Sequence, residues 1–448
     1  MALGQIPAPY ATAIIRARHL NSYVALAETA TLNGRIASLS AILMGRKSTA
    51  VGQKKLSDTL PFLSPGDRIM WTRIVIASCF FIALALSKHV WVTTRHFPLI
   101  PVFSGLPQIP YPFDYVCLAV LGLLLVLIAA SSAPKFYLLS FLSLLAVVAL
   151  LDQCRWQPWV YQYALMLAGL TVFYWKGGKA SDQNAALNIC RLIVASIYFY
   201  SGLQKLNPTF AAHVFPHLLG NMGTTATAIL RVLAIFPALL EAGIGVALLT
   251  KRFRNIGVIA AIVMHVFILA KYGPFGYDYN AVVWPWNLAM ISLDVILFWK
   301  AEFSFADVLW RNPFTFQKAV LLLVLIMPFF SFFGWWDSYP SWSLYSGNVD
   351  GASLFCSDAV AKQLPGYLRQ YITHVSSNNN RLSVRDWTMG ELNVPGYPES
   401  RVYRRIGGEV CRLADNSPEI AMYIQQKSTW LGAGERIRDT CFGTLVNP

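Results

Sequence analysis

Residues 198–208 read Tyr-Phe-Tyr-Ser-Gly-Leu-Gln-Lys-Leu-Asn-Pro, and they place Lys205 at the end of an otherwise hydrophobic span. A lysine inside a bilayer costs roughly 2.5 to 3.5 kcal/mol on insertion scales, so such a residue is usually retained because it faces a partner, a cavity or a substrate. Lys205 is therefore a candidate site residue, and the hydrophobic span around it indicates the class of fold.

The composition predicts an all-α polytopic membrane helix bundle. Of the 448 residues, 56% are hydrophobic and only 13% are charged, which is unlike a soluble globular chain. About 20 residues of helix cross a hydrocarbon core of about 30 Å. Nine stretches are long enough or nearly so: 69–90, 113–133, 136–153, 158–175, 184–206, 226–249, 255–273, 281–299 and 317–336.

The distribution of Lys and Arg predicts the orientation of this bundle. These residues are concentrated before the first stretch and in every second connection, around 135, 176–179, 251–254 and 300–318. Because basic residues are retained on the cytoplasmic side, the N-terminus is predicted to be cytoplasmic, and nine crossings put the C-terminus outside. The formal charge of +14 then reflects topology and contact with the lipid bilayer, and nucleic acid is not an expected partner.

Three regions follow from these patterns. We expect a cytoplasmic N-terminal arm over residues 1–65, a transmembrane bundle over 66–336 and a small extracytoplasmic C-terminal domain over 337–448, where the composition becomes polar. Residues 354–368 and 399–414 show weak helical periodicity. A multi-pass protein of a bacterial plasma membrane fits best, although a protein of the endoplasmic reticulum would show the same pattern.

Cysteines in the polar tail suggest a disulfide. Cys356, Cys411 and Cys441 all lie there, and two of them could pair in an oxidising compartment, with Cys154 as a fourth candidate partner. The spacing does not choose among the pairings. The chain has no CxxC motif or Cys/His cluster that would indicate zinc, so no metal site is predicted.

Polar residues within the hydrophobic stretches define a predicted pocket. Arg191, Tyr198 and Lys205 recur every seven residues on the fifth stretch, which places them on one helical face. His265 lies in the seventh stretch, roughly a turn or two deeper than Lys205. The pocket is predicted to open outward, and its other candidate residues are Glu241, Trp284, Trp286, Asn287, Tyr277 and Trp156.

Each of these residues also has an ordinary structural explanation. Lys205 could extend its ammonium group to the lipid headgroups. His265 could be a hydrogen-bonded histidine of the bundle, and the tryptophans could form an aromatic belt at the interface. A shared depth favours the functional interpretation.

The run Tyr198 to Pro208 resembles a segment of the horizontally transferred transmembrane (HTTM) domain family, the relatives of the vitamin K-dependent gamma-carboxylase. Further similarities follow in order at Leu151-Asp-Gln, Leu240-Glu241, Met264-His265 and Trp284 to Trp286, so the resemblance covers roughly residues 65–300. It implies that Lys205 is the base acting on a reduced quinone and that His265 takes part in the same site. The tail of about 110 residues is much shorter than the lumenal region of the carboxylase.

Two classes of function remain open at this point. The first is a membrane enzyme, a gamma-carboxylase-like lyase or oxidoreductase, that uses Lys205 as base on a quinol or another lipid-soluble substrate. The second is a non-catalytic membrane protein: a lipid or small-molecule binder, a transporter, or a maturation partner for a secreted protein or peptide. The quinone reductases of the DoxX/DoxD-like group resemble the chain less well.

Overall fold

The computed structural model describes residues 63–220 and 224–441, without the side chains of residues 224–227. Most of the described chain is helical, and one small antiparallel sheet lies near the C-terminal end. This is the architecture of a polytopic helical membrane protein. The predicted cytoplasmic arm lies outside the described residues, apart from its last three positions.

Each of the nine predicted hydrophobic stretches contains a helix in the described part of the chain. They are α1 (Pro65–Leu86), α2 (Phe113–Ala130), α3 (Lys135–Leu150), α4 (Pro158–Trp175), α5 (Gln183–Gln204), α6 (Ile235–Leu249), α7 (Arg254–Tyr272), α8 (Val283–Phe298) and α9 (Thr315–Phe333). Short helical segments between them are Lys88–Trp91, Phe210–Val214, Phe215–Leu219, Thr224–Leu233 and Phe305–Leu309.

Six helices of the described residues are long and apolar enough to cross a membrane. They are Pro65–Leu86, Phe113–Ala130, Ala180–Gln204, Ala228–Leu249, Arg254–Tyr272 and Thr315–Phe333. Helices α3 and α8 are apolar but have 16 residues each, about 24 Å at 1.5 Å per residue, which is short of a hydrocarbon core of about 30 Å. The count of nine crossings and the orientation of the bundle therefore stay predictions.

Local sequence explains where several helices begin. Ser64 and Asp67 form a capping box at the start of α1, and Pro158 occupies the first turn of α4, where its missing N–H is not needed. The helical run before α6 breaks at Ala234. Because Pro237 cannot donate to the carbonyl of Leu233, four residues earlier, this break is the expected effect of a proline.

Helix α5 is the centre of the bundle. In its apolar window 89% of the residues are buried, compared with 22% to 44% in the other five candidate spans. It approaches α6 closely through two glycines: a Cβ on Gly202 would lie 2.3 Å from the amide nitrogen of Ala242, and one on Gly245 would lie 2.6 Å from the carbonyl oxygen of Ala195. Small residues of this kind let membrane helices pack backbone against backbone.

The C-terminal domain contains a five-stranded antiparallel sheet with the order β2-β3-β1-β4-β5. The strands are β1 (Gly351–Cys356), β2 (Ile372–Ser376), β3 (Asn379–Ser383), β4 (Ala421–Gln425) and β5 (Arg436–Thr440). Helices α10 (Asp358–Gln363), α11 (Gly366–Arg369), α12 (Val384–Leu392) and α13 (Ser400–Leu413) accompany them. Val402, Ile406 and Val410 lie on the buried face of α13.

The predicted all-α helix bundle does not extend to the C-terminal domain, which contains this sheet. The stretch 399–414 is helical as predicted, and 354–368 contains α10 and most of α11 but begins in strand β1, where Leu354 pairs with Leu382 and with Met422. The strands have five or six residues each, which is too short for alternation to stand out in a polar sequence.

One disulfide stabilises this domain. Cys411 on α13 is bonded to Cys441 after β5, while Cys356 and Cys154 are buried thiols. The bond ties the helix to the end of the sheet across a sequence separation of 30 residues.

Polar contacts dock the C-terminal domain on the bundle. The Glu391 carboxylate accepts hydrogen bonds from the backbone N–H groups of His96 and Phe97, the latter at 2.8 Å. Gln157, at the start of α4, donates to the carbonyl of Pro395 at 3.0 Å. These contacts position the domain over one end of the helices, and a cavity lies between the two.

Candidate functional site

A cavity of about 740 Å³ lies at the junction of the bundle and the C-terminal domain. Its base includes Val283 and Trp286 of α8 and Trp159 of α4. Tyrosine and tryptophan side chains are frequent in its walls. Six tyrosines line it: Tyr272, Tyr277, Tyr279, Tyr339, Tyr345 and Tyr403.

Two loops that form the walls each contain two non-glycine residues in the left-handed region. Asp278 and Asn280, between α7 and α8, have φ of 47° and 53°, and Trp342 and Tyr345, after α9, have φ of 59° and 50°. For bulky residues such as Trp and Tyr this conformation costs roughly 1 to 3 kcal/mol each, and it is found most often where the surroundings fix it for a function. The loops are therefore held in shape by the rest of the fold.

A few polar groups interrupt the aromatic walls. Arg385 donates to the Tyr279 hydroxyl at 2.9 and 3.1 Å, and Asn280 donates to the Tyr345 hydroxyl at 3.3 Å. Trp286 donates from its indole N–H to Gln162 at 2.6 Å. An aromatic cavity with a few oriented polar groups is typical of sites for small organic molecules.

Two predicted pocket residues line this cavity, Trp286 and Tyr277. The Tyr277 ring is 46% exposed and stacks on His217 with ring centroids 5.6 Å apart. The indole of Trp284 donates instead to the carbonyl of Tyr272 at 2.8 Å, and that of Trp156 donates to the carbonyl of Ala149 at 2.9 Å. Both indole N–H groups are therefore bonded to backbone carbonyl groups. Neither residue is among those that line the cavity in the described structure.

Lys205 forms an ion pair with Glu241. The Nζ atom lies 2.8 Å from Oε2 of Glu241, and the two side chains are 11% and 13% exposed. Nζ also donates to the hydroxyl of Ser201 at 2.8 Å and to its carbonyl at 3.2 Å. The lysine thus points into the protein, but among the described residues that line the cavity there is neither Lys205 nor His265.

A second polar group lies inside the bundle. The Tyr198 hydroxyl is 2.6 Å from Nε2 of His265 and 2.6 Å from Oδ2 of Asp294, and Nδ1 of His265 is 2.7 Å from Oδ1 of Asn287. The four side chains come from α5, α7 and α8 and are at most 6% exposed. We call this set the buried chain. Its two end residues, Asp294 and Asn287, lie two turns apart on α8.

Arg191 lies elsewhere. It is buried and donates to the carbonyl of Leu297 at 2.9 Å, while Arg68 and Arg254 donate to backbone carbonyls at and just beyond the same end of α8. Guanidinium groups near a helix C-terminus satisfy its free carbonyls and interact favourably with its dipole. The predicted pocket residue Arg191 therefore caps α8 in the structure.

Sequence analysis did not identify most of the cavity residues. Tyr339, Tyr345, Arg385 and Tyr403 belong to the tail, whose polar sequence carries only weak periodicity, and only docking brings them to the bundle. Asp294 was detectable, because it lies seven residues after Asn287 and so shares its helical face. Within the described ranges, no group of three or more His, Cys, Asp or Glu is placed to hold a metal ion.

The buried carboxyl group of Glu399 lies near this junction, and we expect it to make the stability of the protein depend on pH. Burial raises the pKa of its carboxyl to about 7, against the opposing effects of Lys427 and of the hydrogen bond from the Ser338 N–H. Because the folded state holds a proton that the unfolded chain releases, this stability is present below pH 4.5 and is lost as the pH rises towards 7. We expect wild type to lose about 3 kcal/mol relative to Glu399→Gln between pH 4.5 and 8.

The melting temperatures of wild type and Glu399→Gln, measured between pH 4.5 and 8, test this expectation. The glutamine keeps an oxygen that accepts from Ser338 but does not titrate. The exposed Glu435→Gln variant is the control and should follow wild type. Parallel curves for wild type and Glu399→Gln would contradict the prediction.

Comparison with known proteins corrects the predicted family. A model of the family described as methylamine utilisation protein MauE matches residues 183–278, which is less than half of the chain. The segment holds α5 to α7 and therefore Tyr198, Lys205, Glu241 and His265, while Asn287 and Asp294 lie beyond it. No curated protein and no solved structure matches the chain.

The resemblance to HTTM proteins is wrong, because the stretch that suggested it lies inside a segment that matches a different membrane family. Short aromatic, glycine and lysine runs recur by chance in apolar helices, and this one was read as a family motif. The chain is a multi-pass integral membrane protein that carries a MauE-like segment.

Proposed function

We propose that this protein binds an amphipathic, ring-bearing molecule from the membrane in the cavity between its bundle and its C-terminal domain. The observation that carries the proposal is the cavity itself, about 740 Å³ and lined by six tyrosines. Sites of roughly 300 to 1,000 Å³ take small organic molecules of drug size. We further propose that the membrane is a bacterial plasma membrane.

The chemistry of the walls narrows the class of ligand. Tyrosine and tryptophan rings present flat apolar faces, and phenol hydroxyls provide hydrogen bonds at the edges. Arg385 adds donors and one positive charge at the wall formed by the C-terminal domain. A flat ring with carbonyl acceptors and an apolar tail, as in a quinone, fits this arrangement.

Two observations favour binding over base catalysis by Lys205. The lysine lies outside the cavity lining, and its Nζ atom is already bonded to Glu241 and to Ser201. The name of the MauE family, whose model matches residues 183–278, refers to methylamine, a molecule with one carbon and one nitrogen. The cavity is far larger than that molecule needs.

Filling the cavity should abolish binding. Gly351 lines it, and a Cβ there would meet no atom within 4 Å, so Gly351→Phe adds a ring without a backbone clash. We expect the variant to raise the Kd for a short-tailed quinone by about tenfold or more, equivalent to about 1.4 kcal/mol. Quenching of tryptophan fluorescence measures this, because Trp159 and Trp286 line the cavity.

Gly243→Phe is the matched control. Gly243 also has open space around its Cβ position, but it lies on α6 and not in the cavity lining. This variant should bind like wild type. Equal affinity of both variants and wild type, or no quenching in any of them, would refute the proposed ligand class.

A further inference from the structure

The buried chain lies where ionisable groups are costly and therefore usually functional. Asp294 is 0% exposed, Tyr198 is 1% and His265 is 6%. Intramembrane carboxylate and histidine residues that face a bundle interior often belong to proton relays. Asp294 has no ion-pair partner among the described residues, and its Oδ1 atom is buried without a hydrogen bond there.

Hydrogen-bond directions along the buried chain determine where its protons are. Asn287 donates from Nδ2 to the carbonyl of Val283 at 2.7 Å, so its oxygen faces the imidazole. An amide oxygen only accepts, and Nδ1 of His265 must therefore carry a hydrogen. In a neutral imidazole Nε2 is then an acceptor, and the Tyr198 hydroxyl donates to it.

The Tyr198 hydroxyl has one proton, but two atoms that could accept it lie 2.6 Å away: Nε2 of His265 and Oδ2 of Asp294. If the phenol donates to a carboxylate of Asp294, then Nε2 of His265 must carry a hydrogen and the imidazole is charged. If the phenol donates to a neutral His265 instead, then Asp294 must donate to the phenol oxygen, which requires a protonated carboxyl group. A neutral carboxyl group also explains the unpartnered Oδ1, because burying a carbonyl oxygen without a partner costs far less than burying a charged oxygen.

The same geometry accommodates a second arrangement. The proton of Asp294 passes to the Tyr198 oxygen while the Tyr198 proton passes to Nε2 of His265. The carboxyl group becomes a carboxylate and the imidazole becomes an imidazolium, all hydrogen bonds are kept, and the sum of the charges stays zero. No other reactant is needed, and both transfers cover 2.6 Å between heavy atoms.

We propose that Asp294, Tyr198 and His265 form a proton relay through the interior of the bundle. The neutral arrangement is the resting one, because separated charges are unfavourable in a medium of low dielectric constant. A further carboxylate, Glu241 of α6, acts electrostatically on both Tyr198 and His265 and is itself held by Lys205. At the other end, the His265 imidazole is bonded to Asn287, whose amide donates to the carbonyl of Val283, a residue that lines the cavity.

Infrared spectroscopy of the protein in lipid nanodiscs tests the relay without any ligand. The carbonyl stretch of a protonated Asp294 should appear in wild type and disappear in Asp294→Asn. After transfer to D₂O the band shifts as the proton exchanges. Tyr198→Phe removes the oxygen that carries the proton, and we expect it to slow this exchange by about tenfold or more.

Tyr200→Phe is the control, because Tyr200 lies on the same helix and donates its hydroxyl to the carbonyl of Leu325, away from the relay. It should exchange at the rate of wild type. If Tyr198→Phe does not yield folded protein, His265→Gln interrupts the same path at the next atom. The absence of a carbonyl band that depends on Asp294, or equal exchange rates in the interrupted variants and wild type, would overturn the proposal.

Discussion

Replacing Gly202 with alanine is expected to destabilise the protein by more than about 3 kcal/mol, the upper end for ordinary overpacking. The added methyl would lie 2.3 Å from the amide nitrogen of Ala242 and 2.6 Å from the carbonyl oxygen of Ala238. Both obstructing atoms belong to the backbone of the facing helical run, so no rotamer change relieves the clash. Helices α5 and α6 would have to separate, and α5 is the most buried of the candidate spans.

The melting temperature and the fraction of monodisperse protein after detergent extraction measure this effect. Gly243→Ala is the matched control on α6, because its new methyl would meet no atom within 4 Å and alanine favours helix by about 1 kcal/mol over glycine. We expect this control to be as stable as wild type or more so. If Gly202→Ala and Gly243→Ala behaved alike, the close approach of the two helices would be incorrect.

Lys205→Ala is expected to cost about 3 to 5 kcal/mol, because it leaves a largely buried carboxylate without its partner. All three ammonium hydrogens have acceptors in the structure, two on Ser201 and one on Glu241. The double variant Lys205→Met with Glu241→Leu should recover most of the loss, since it removes both charges and preserves volume. Lys205→Arg should lie close to wild type, because it keeps the cation.

Unfolding of these variants in detergent, followed by a thiol-independent probe such as tryptophan fluorescence, provides the measurement. The comparison also distinguishes two roles of Lys205. An ion pair tolerates arginine, whereas a general base does not, because arginine stays protonated. A stable Lys205→Ala variant would mean that the pair with Glu241 contributes little, and the lysine would then be free for another role.

The helices were predictable from sequence, but their assembly into a site was not. Arg191, Tyr198 and Lys205 share one face of α5, as their spacing of seven predicts, yet each step of seven residues is also about 10 Å along the axis. The structure accordingly gives them three separate sets of partners: the end of α8, the buried chain and Glu241. A shared face is therefore weaker evidence for a shared site than a shared depth.

Predicting the cavity requires information that no single stretch of the sequence contains. Trp286 and Tyr277 are predictable, because Trp286 lies in the first turn of a predicted membrane helix and Tyr277 lies in the loop just before it. Tyr339, Tyr345 and Tyr403 come from the C-terminal domain, and their role depends on strand pairing and docking over a distance in sequence. Family assignment from an 11-residue run was wrong for a related reason, since apolar composition makes short matches common.

The order of the cavity walls along the chain has a consequence for biogenesis. The base and one wall come from helices α4, α7 and α8, whereas the opposite wall is made of residues 339–403, which leave the ribosome later. During translation the inserted helices present only an open aromatic surface. The cavity is complete only once the last domain has folded against the bundle, so it forms by maturation of the inserted protein and not by insertion itself.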